Sequence, residues 1–255
     1  MIQDLYRSLK RSLPAPIRRA LSSVNQRFFA RKTLQRQYGA WFDVDWRKKY
    51  ATMSDEEWIR AYNEVWRNHH NDCLDETDSA LVLALLRELS GGEPRNVQKI
   101  LEVGCGAGRL AIAMAQTGYS VTCLDVSDKA LAKAQTNAEQ EGVSSIAWVH
   151  GFAEKMPFAD RSFDAITCCH TLEHVKSLES AISEMKRVAT KGVVVIVPKQ
   201  EFRLYADNYH TQFFSRKEEL IAAFGLERFR CFEVDCRDHE SEFHGEALVY
   251  LVFFS

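Results

Sequence analysis

LEVGCGAGRL, residues 101–110, decides how the rest of the chain is read. The strand-like run KILEV (99–103) enters Gly104, Gly106 and Gly108 directly. GRLAIAMAQTG (108–118) follows as a helix, with small residues on its packing face and Gly118 as its stop. Strand, spaced glycines and helix together make a sharp turn over which a ligand can approach the backbone. The unpaired amides of a helix N-terminus lie at its edge. The spacing is G-x-G-x-G, whereas a dinucleotide fingerprint is G-x-G-x-x-G. Glu102 stands two residues before the first glycine, and the next strand, SVTCLD (120–125), ends in Asp125. An acid at that place accepts hydrogen bonds from the hydroxyls of an adenosine ribose.

Outward from this loop the pattern alternates. SDKALAKAQTNAEQEG (127–142) is a helix capped by Ser127 and ended by Gly142. IAWVHG (146–151), FDAITCC (163–169) and GVVVIVP (192–198) are strands, and 172–189 is expected to be one continuous helix. All-apolar strands suit a parallel sheet covered on both faces. Alternating strands and helices imply right-handed crossovers and a doubly wound sheet. After a helix at 215–225, the strands 227–235 and 246–254 follow without a helix between them, so they should form a hairpin whose last strand runs antiparallel to the rest. The expected fold is α/β, a seven-stranded sheet with an N-terminal helical extension. Residues 1–75 are expected to be the extension, 76–255 the α/β domain, with helices at 55–70 and 79–92.

The 255 residues are 46% hydrophobic and carry a net charge of −2. That balance hides an asymmetry. Residues 1–50 hold twelve Lys/Arg against three Asp/Glu, a net of +9, which leaves −11 for the rest. The seven cysteines, Cys73, Cys105, Cys123, Cys168, Cys169, Cys231 and Cys236, form no C-x-x-C pair and read as reduced, mostly buried thiols of a cytoplasmic protein. No apolar run reaches the roughly 18–20 residues that span a bilayer. The N-terminus lacks the apolar core and cleavage site of a secretory signal.

Taken together, the residues from Val97 to Phe254 resemble the class I S-adenosylmethionine (SAM)-dependent methyltransferase superfamily, whose fold is Rossmann-like. In motif they are most similar to the ubiquinone-biosynthesis type of small-molecule methyltransferase. The resemblance implies SAM as cofactor. Glu102, Gly104, Cys105, Gly106 and Gly108 would wrap its methionine moiety, and Asp125 with Val126 would hold the ribose. Ala153 and Glu154, in GFAEKMPFADRSFD (151–164), would flank the adenine. FDAITCCHTLEHV (163–175) would bring Cys169 and His170 to the methyl-transfer face. The turn ATKGVV lacks the family's usual Pro-Gly-Gly.

Within that segment, His170-Thr-Leu-Glu173-His174 matches H-x-x-E-H, a zinc-peptidase pattern. That chemistry needs the motif inside a helix, and here His170 sits at a strand-to-helix junction. Glu173 and His174 are expected to begin the helix. Three readings stay open: the histidines shape the pocket, His174 or His170 takes a proton from the acceptor, or His170, Glu173 and His174 hold a divalent metal. KQEFRLYADNYHTQFFS (199–215) offers Arg203, Tyr205, Tyr209, His210, Phe213 and Phe214 as an aromatic acceptor wall, with His210 as a second candidate base. The implied reaction is methyl transfer to an oxygen or nitrogen of a small organic acceptor, lipid- or glycan-linked acceptors included. A SAM-binding protein without transferase activity, an RNA methyltransferase and a nicotinamide oxidoreductase are the alternatives. DNA-type motifs are missing and the acidic core opposes a long phosphate backbone. LYRSLKRSLPAPIRRALSSVNQRFF (5–29) is basic and amphipathic, so residues 1–35 are expected either to extend the domain or to lie on an anionic membrane surface.

Overall fold

A computed structural model describes residues 52–68, 76–201, 210–225, 228–235 and 246–254. These belong to one compact unit of the chain. The amphipathic segment 5–29 and the wall residues Arg203, Tyr205 and Tyr209 lie outside the described residues.

Seven strands form a single sheet: β1 (Lys99–Val103), β2 (Ser120–Asp125), β3 (Ala147–His150), β4 (Phe163–Cys169), β5 (Ala189–Pro198), β6 (Phe229–Asp235) and β7 (Glu246–Phe253). Their order is β3-β2-β1-β4-β5-β7-β6. β1 to β5 pair in parallel, whereas β7 runs antiparallel to both β5 and β6. This is the hairpin-closed sheet that the strand pattern predicts. The helices are α1 (Asp55–Asn68), α2 (Glu76–Leu89), α3 (Arg109–Gln116), α4 (Asp128–Gln140), α5 (Leu178–Val188) and α6 (Lys217–Phe224). None is long and apolar enough to cross a membrane, among the described residues.

Alternate residues of each strand feed two separate cores, as the period of a strand requires. Ile100, Ala165 and Val194 pack with α2 and α3 on one face. Leu101, Ile166, Val193 and Val195 pack with α5 and α6 on the other. α3 starts immediately after Gly108, whose left-handed φ of 84° ends the glycine loop. A Cβ there would come within 2.9 Å of Ala134 Cβ, so the small residue lets α3 begin close against α4. Ser127 caps α4 by accepting from the amide of Ala130, as expected.

Two expectations are corrected. The continuous helix over 172–189 does not form. Leu172–His174 make an isolated 3₁₀ turn, Val175 is extended, and α5 begins only at Leu178 with Ser177 as its N-cap. Glu173 and His174 therefore do not begin a helix. A serine that accepts from its own third amide starts a helix locally, and that bond defeats continuation from the turn. The stretch expected as a turn, ATKG, is instead the first part of β5, paired with β4 across an irregularity between Phe163 and Ala165.

Candidate functional site

The sheet order reverses between β1 and β4, and the crevice at the C-terminal ends of these strands is where open α/β sheets bind ligands. The glycine loop leaves β1 there. Gly104, Gly106 and Gly108 have φ of 73°, 54° and 84°, a left-handed series that side chains resist. A Cβ on Gly104 would stand 2.0 Å from Thr171 Oγ1. The Thr171 hydroxyl reaches the carbonyls of Val103 (3.2 Å) and Cys169 (3.1 Å), so it ties the ends of β1 and β4 together.

Asp125 closes the other side of the loop. Its Oδ2 accepts from the Gly106 amide at 3.0 Å and its Oδ1 from the Ser127 amide at 2.8 Å. The Gly104 amide donates to the Leu124 carbonyl at 2.7 Å. Glu102 is buried beneath the loop, and the Cys123 thiol donates to it at 3.9 Å. The Val126 carbonyl meets His150 Nε2 at 2.9 Å. Glu154 accepts from the Lys176 amide at 2.6 Å, and Ala153 packs beside the second core. Arg187 fixes the segment after Glu154, donating to Glu184, to Asp160 and to the carbonyls of Met156 and Phe158.

Cys105, Cys168 and Cys169 are buried thiols held well above the ordinary thiol range. A hydrogen bond with Cys123 and then burial do this for Cys105; burial leads for the other two. They are packing residues in their protonated form, unsuited to nucleophilic work.

β4 delivers His170, whose φ of 50° turns the chain out of the sheet while its amide still donates to the Ile196 carbonyl. His170 Nδ1 stands 3.4 Å from Glu173 Oε1. Glu173 is 1% exposed, and its second oxygen, Oε2, has no hydrogen-bond partner among the described residues. Burial pushes the Glu173 carboxyl up, but the His170 hydrogen bond and the charges of His174, His170 and His210 outweigh it and hold the group below its ordinary value.

The contact with His210 carries no signal in the sequence. Glu173, His174 and His210 bring ligand atoms within 4.8 Å of one another. The His174 and His210 rings meet edge to face, 4.7 Å between centroids. His210 is held by Gln200 Oε1, 2.8 Å from Nδ1. The following residues zip onto the 3₁₀ turn: the amides of Thr211 and Gln212 donate to the Glu173 carbonyl at 2.7 and 3.0 Å, and the Thr211 hydroxyl donates to that of Val175. Phe213 lies beside His210, while Phe214 is buried in the second core, a core residue more than a wall. From α1, Tyr62 donates to the His174 carbonyl at 3.3 Å and presents its ring to the imidazole. Tyr62, too, is unreadable from sequence, 112 positions away from its partner.

Residues 101–197 match the protein-family model described as a methyltransferase domain. Over 108 residues the chain is 37% identical to the ubiquinone biosynthesis O-methyltransferase of Paracidovorax citrulli, covering 41% of this chain and 44% of that protein. Over 123 residues it is 33% identical to the ajmaline N-methyltransferase of Rauvolfia serpentina, covering 47% and 41%. The chain thus spans less than half the length of these curated relatives. A SAM-dependent methyltransferase from Aquifex aeolicus shares its fold, with a TM-score of 0.53 at 17% identity over 80% of this chain and 100% of that one.

Proposed function

We propose that the protein is a class I SAM-dependent methyltransferase that transfers a methyl group from SAM to an oxygen or nitrogen of a small organic acceptor, a reading supported by the methyltransferase-domain match over residues 101–197 and by the 37% identity over 108 residues to a ubiquinone biosynthesis O-methyltransferase. The observation that carries this reading is that Thr171, in the segment leading to Glu173 and His174, joins the glycine loop at the end of β1: its hydroxyl donates to the Val103 carbonyl and it packs against Gly104. The loop fits the cofactor. Its left-handed glycines let the loop pack tightly, Gly104 against Thr171 and Gly108 against Ala134, which brings bare backbone to the ends of β1 and β4. Asp125 stands at the rim of this loop, with its carboxylate held by the amides of Gly106 and Ser127.

SAM supplies a methyl group on a positively charged sulfur, which is already a good leaving group. The chain's own residues then bind, align and remove a proton. The backbone at Gly104, Cys105, Gly106 and Gly108, above Glu102, receives the methionine moiety. Asp125 and Val126 receive the ribose, Ala153 and Glu154 flank the adenine, and Cys169 and His170 border the methyl face. His210, with Nδ1 directed to Gln200, takes the acceptor proton on Nε2, and His174 beside it is the second candidate. His170 is the third, paired with Glu173.

Calorimetric titration with SAM and release of S-adenosylhomocysteine across a panel of phenols, amines and lipid-linked acceptors test the reading. Gly104→Ala should abolish measurable SAM binding. His210→Gln and His174→Gln should each lower kcat about 10²-fold or more, in line with loss of a general base, while SAM affinity stays within about twofold. SAM binding without product from any acceptor would favour the non-catalytic alternative.

A second reading is favoured by one observation. Glu173, His174 and His210 form a donor set of the His₂Glu kind that suits zinc or a similar cation. It shares two residues with the His170, Glu173 and His174 set that the spacing suggests. Metal analysis before and after chelation, alongside the transfer rate, decides it. The basic segment 1–35 supports a cytoplasmic enzyme resting on an anionic membrane face, near lipid-linked acceptors. Co-sedimentation with anionic vesicles, lost on deleting residues 1–35, is the expected result.

A further inference from the structure

We propose that Asn63, on α1 and outside every motif of the cofactor loop, is a positioning residue for Asp125. The inference rests on the reading of Asp125 as the ribose-binding acid. Asn63 Oδ1 accepts two hydrogen bonds at the start of α4: from the Ser127 hydroxyl at 2.7 Å and from the Lys129 amide at 3.2 Å. Ser127 is fully buried, and its own amide donates to Asp125 Oδ1. Its hydroxyl also accepts from the Ala130 amide. One residue is therefore pinned by Asn63 on its side chain and pins Asp125 with its backbone. The Gly106 amide on Asp125 Oδ2 carries the constraint into the glycine loop.

Asparagine is a poor choice for the interior of a helix. At position 63 it is offset by two bonds made to another element. The rest of α1 is fastened independently. Lys176 pairs with Asp55 at 2.9 Å and lies 4.6 Å over the Trp58 ring, while Tyr62 holds the His174 carbonyl. Docking of the helix does not depend on Asn63, so that residue's bonds act on the α4 cap and, through it, on the acid.

The test uses the full chain with Asn63→Leu, which keeps the helix and the volume but removes the acceptor, and Asn63→Asp, which restores it. Amide hydrogen exchange at Ser127 and Gly106 is read in the ligand-free protein, and SAM affinity by calorimetry. Asn63→Leu should speed exchange at both amides relative to the β4 and β5 amides and weaken SAM binding about tenfold, as expected for the loss of one to two hydrogen bonds. The kcat at saturating SAM should stay within about twofold of wild type. Asn63→Asp should recover most of the exchange protection and affinity. Unchanged exchange at Ser127 and Gly106 overturns the proposal, and so does faster exchange with unchanged SAM affinity. If the wild-type chain binds no SAM while Asn63→Leu still frees both amides, the cofactor reading falls and the link from Asn63 to Asp125 stands.

Discussion

Glu173 concentrates the electrostatics of the site in one side chain. A buried carboxylate is costly unless charges and donors compensate it. His170 at 3.4 Å and the imidazoles of His174 and His210 supply that compensation and hold the group below its ordinary value of 4.5. A folded-state pKa below the unfolded one means that the unfolded chain binds the proton more readily. The contribution of Glu173 to stability is therefore complete above pH 4.5 and is lost as pH falls through the folded value. As pH falls below 4.5, wild type should lose stability more steeply than Glu173→Gln, as measured by urea unfolding at each pH. Equal slopes would show that folding leaves the carboxyl at its ordinary value. Little of this was legible in the sequence. Gly104, Gly106, Gly108 and Asp125 could be read because local spacing dictates their geometry. The approach of His210 to Glu173 could not, because it depends on bonds between residues 37 to 39 positions apart, from the Thr211 and Gln212 backbone amides to the Glu173 carbonyl and from the Gln212 side-chain amide to the Val175 carbonyl.

At the scale of elements, the interruption between the 3₁₀ turn and α5 separates two jobs. Leu178, Ile182, Met185 and Val188 have helical spacing, and three of them are buried as expected. The helix does not reach back to Leu172, because apolar spacing says which face packs and does not say where a helix starts. The start is a matter of capping. Ser177 accepts from the Ser180 amide at 3.2 Å and lies 2.8 Å from the Ser180 hydroxyl. The 3₁₀ turn stays free of α5 and is fastened instead to residues 210–212. Ser177→Ala should cost about 1 kcal/mol and lower Tm by about 2–4 °C in calorimetry. If the turn and α5 behaved as one helix, the substitution would leave Tm unchanged. α1 shows the opposite case. Its helical pattern was plain in the sequence, but its work of holding Ser127, His174 and Lys176 is tertiary and left no periodic trace.

For the whole molecule, the sheet is as the strand pattern predicts because buried parallel strands write themselves as apolar runs. The closing hairpin adds a tight seam. Gly192 on β5 faces β7 so closely that a Cβ would lie 2.0 Å from the Val252 carbonyl and 2.8 Å from Leu89 Cδ1. Gly192→Ala should destabilise the fold by about 1–3 kcal/mol or more, the usual range for overpacking a core, seen as a lower urea midpoint. Gly192 pairs with Ala165, well down the strands from Cys169 and the crevice, so SAM affinity of the folded protein should be unchanged. A loss of affinity would mean that the seam and the crevice are mechanically joined.

The position of β7 also sets an order of events during synthesis. β6 leaves the ribosome before β7, yet β7 lies between β6 and β5 and is hydrogen-bonded to both. Until residue 253 has emerged, β5 presents a bare, almost wholly apolar edge and β6 has no neighbour in the sheet. Such an edge is a template for pairing with other chains. The nascent protein therefore passes through a window in which β1 to β5 can be assembled while their open side is sticky, and it is β7 that closes it.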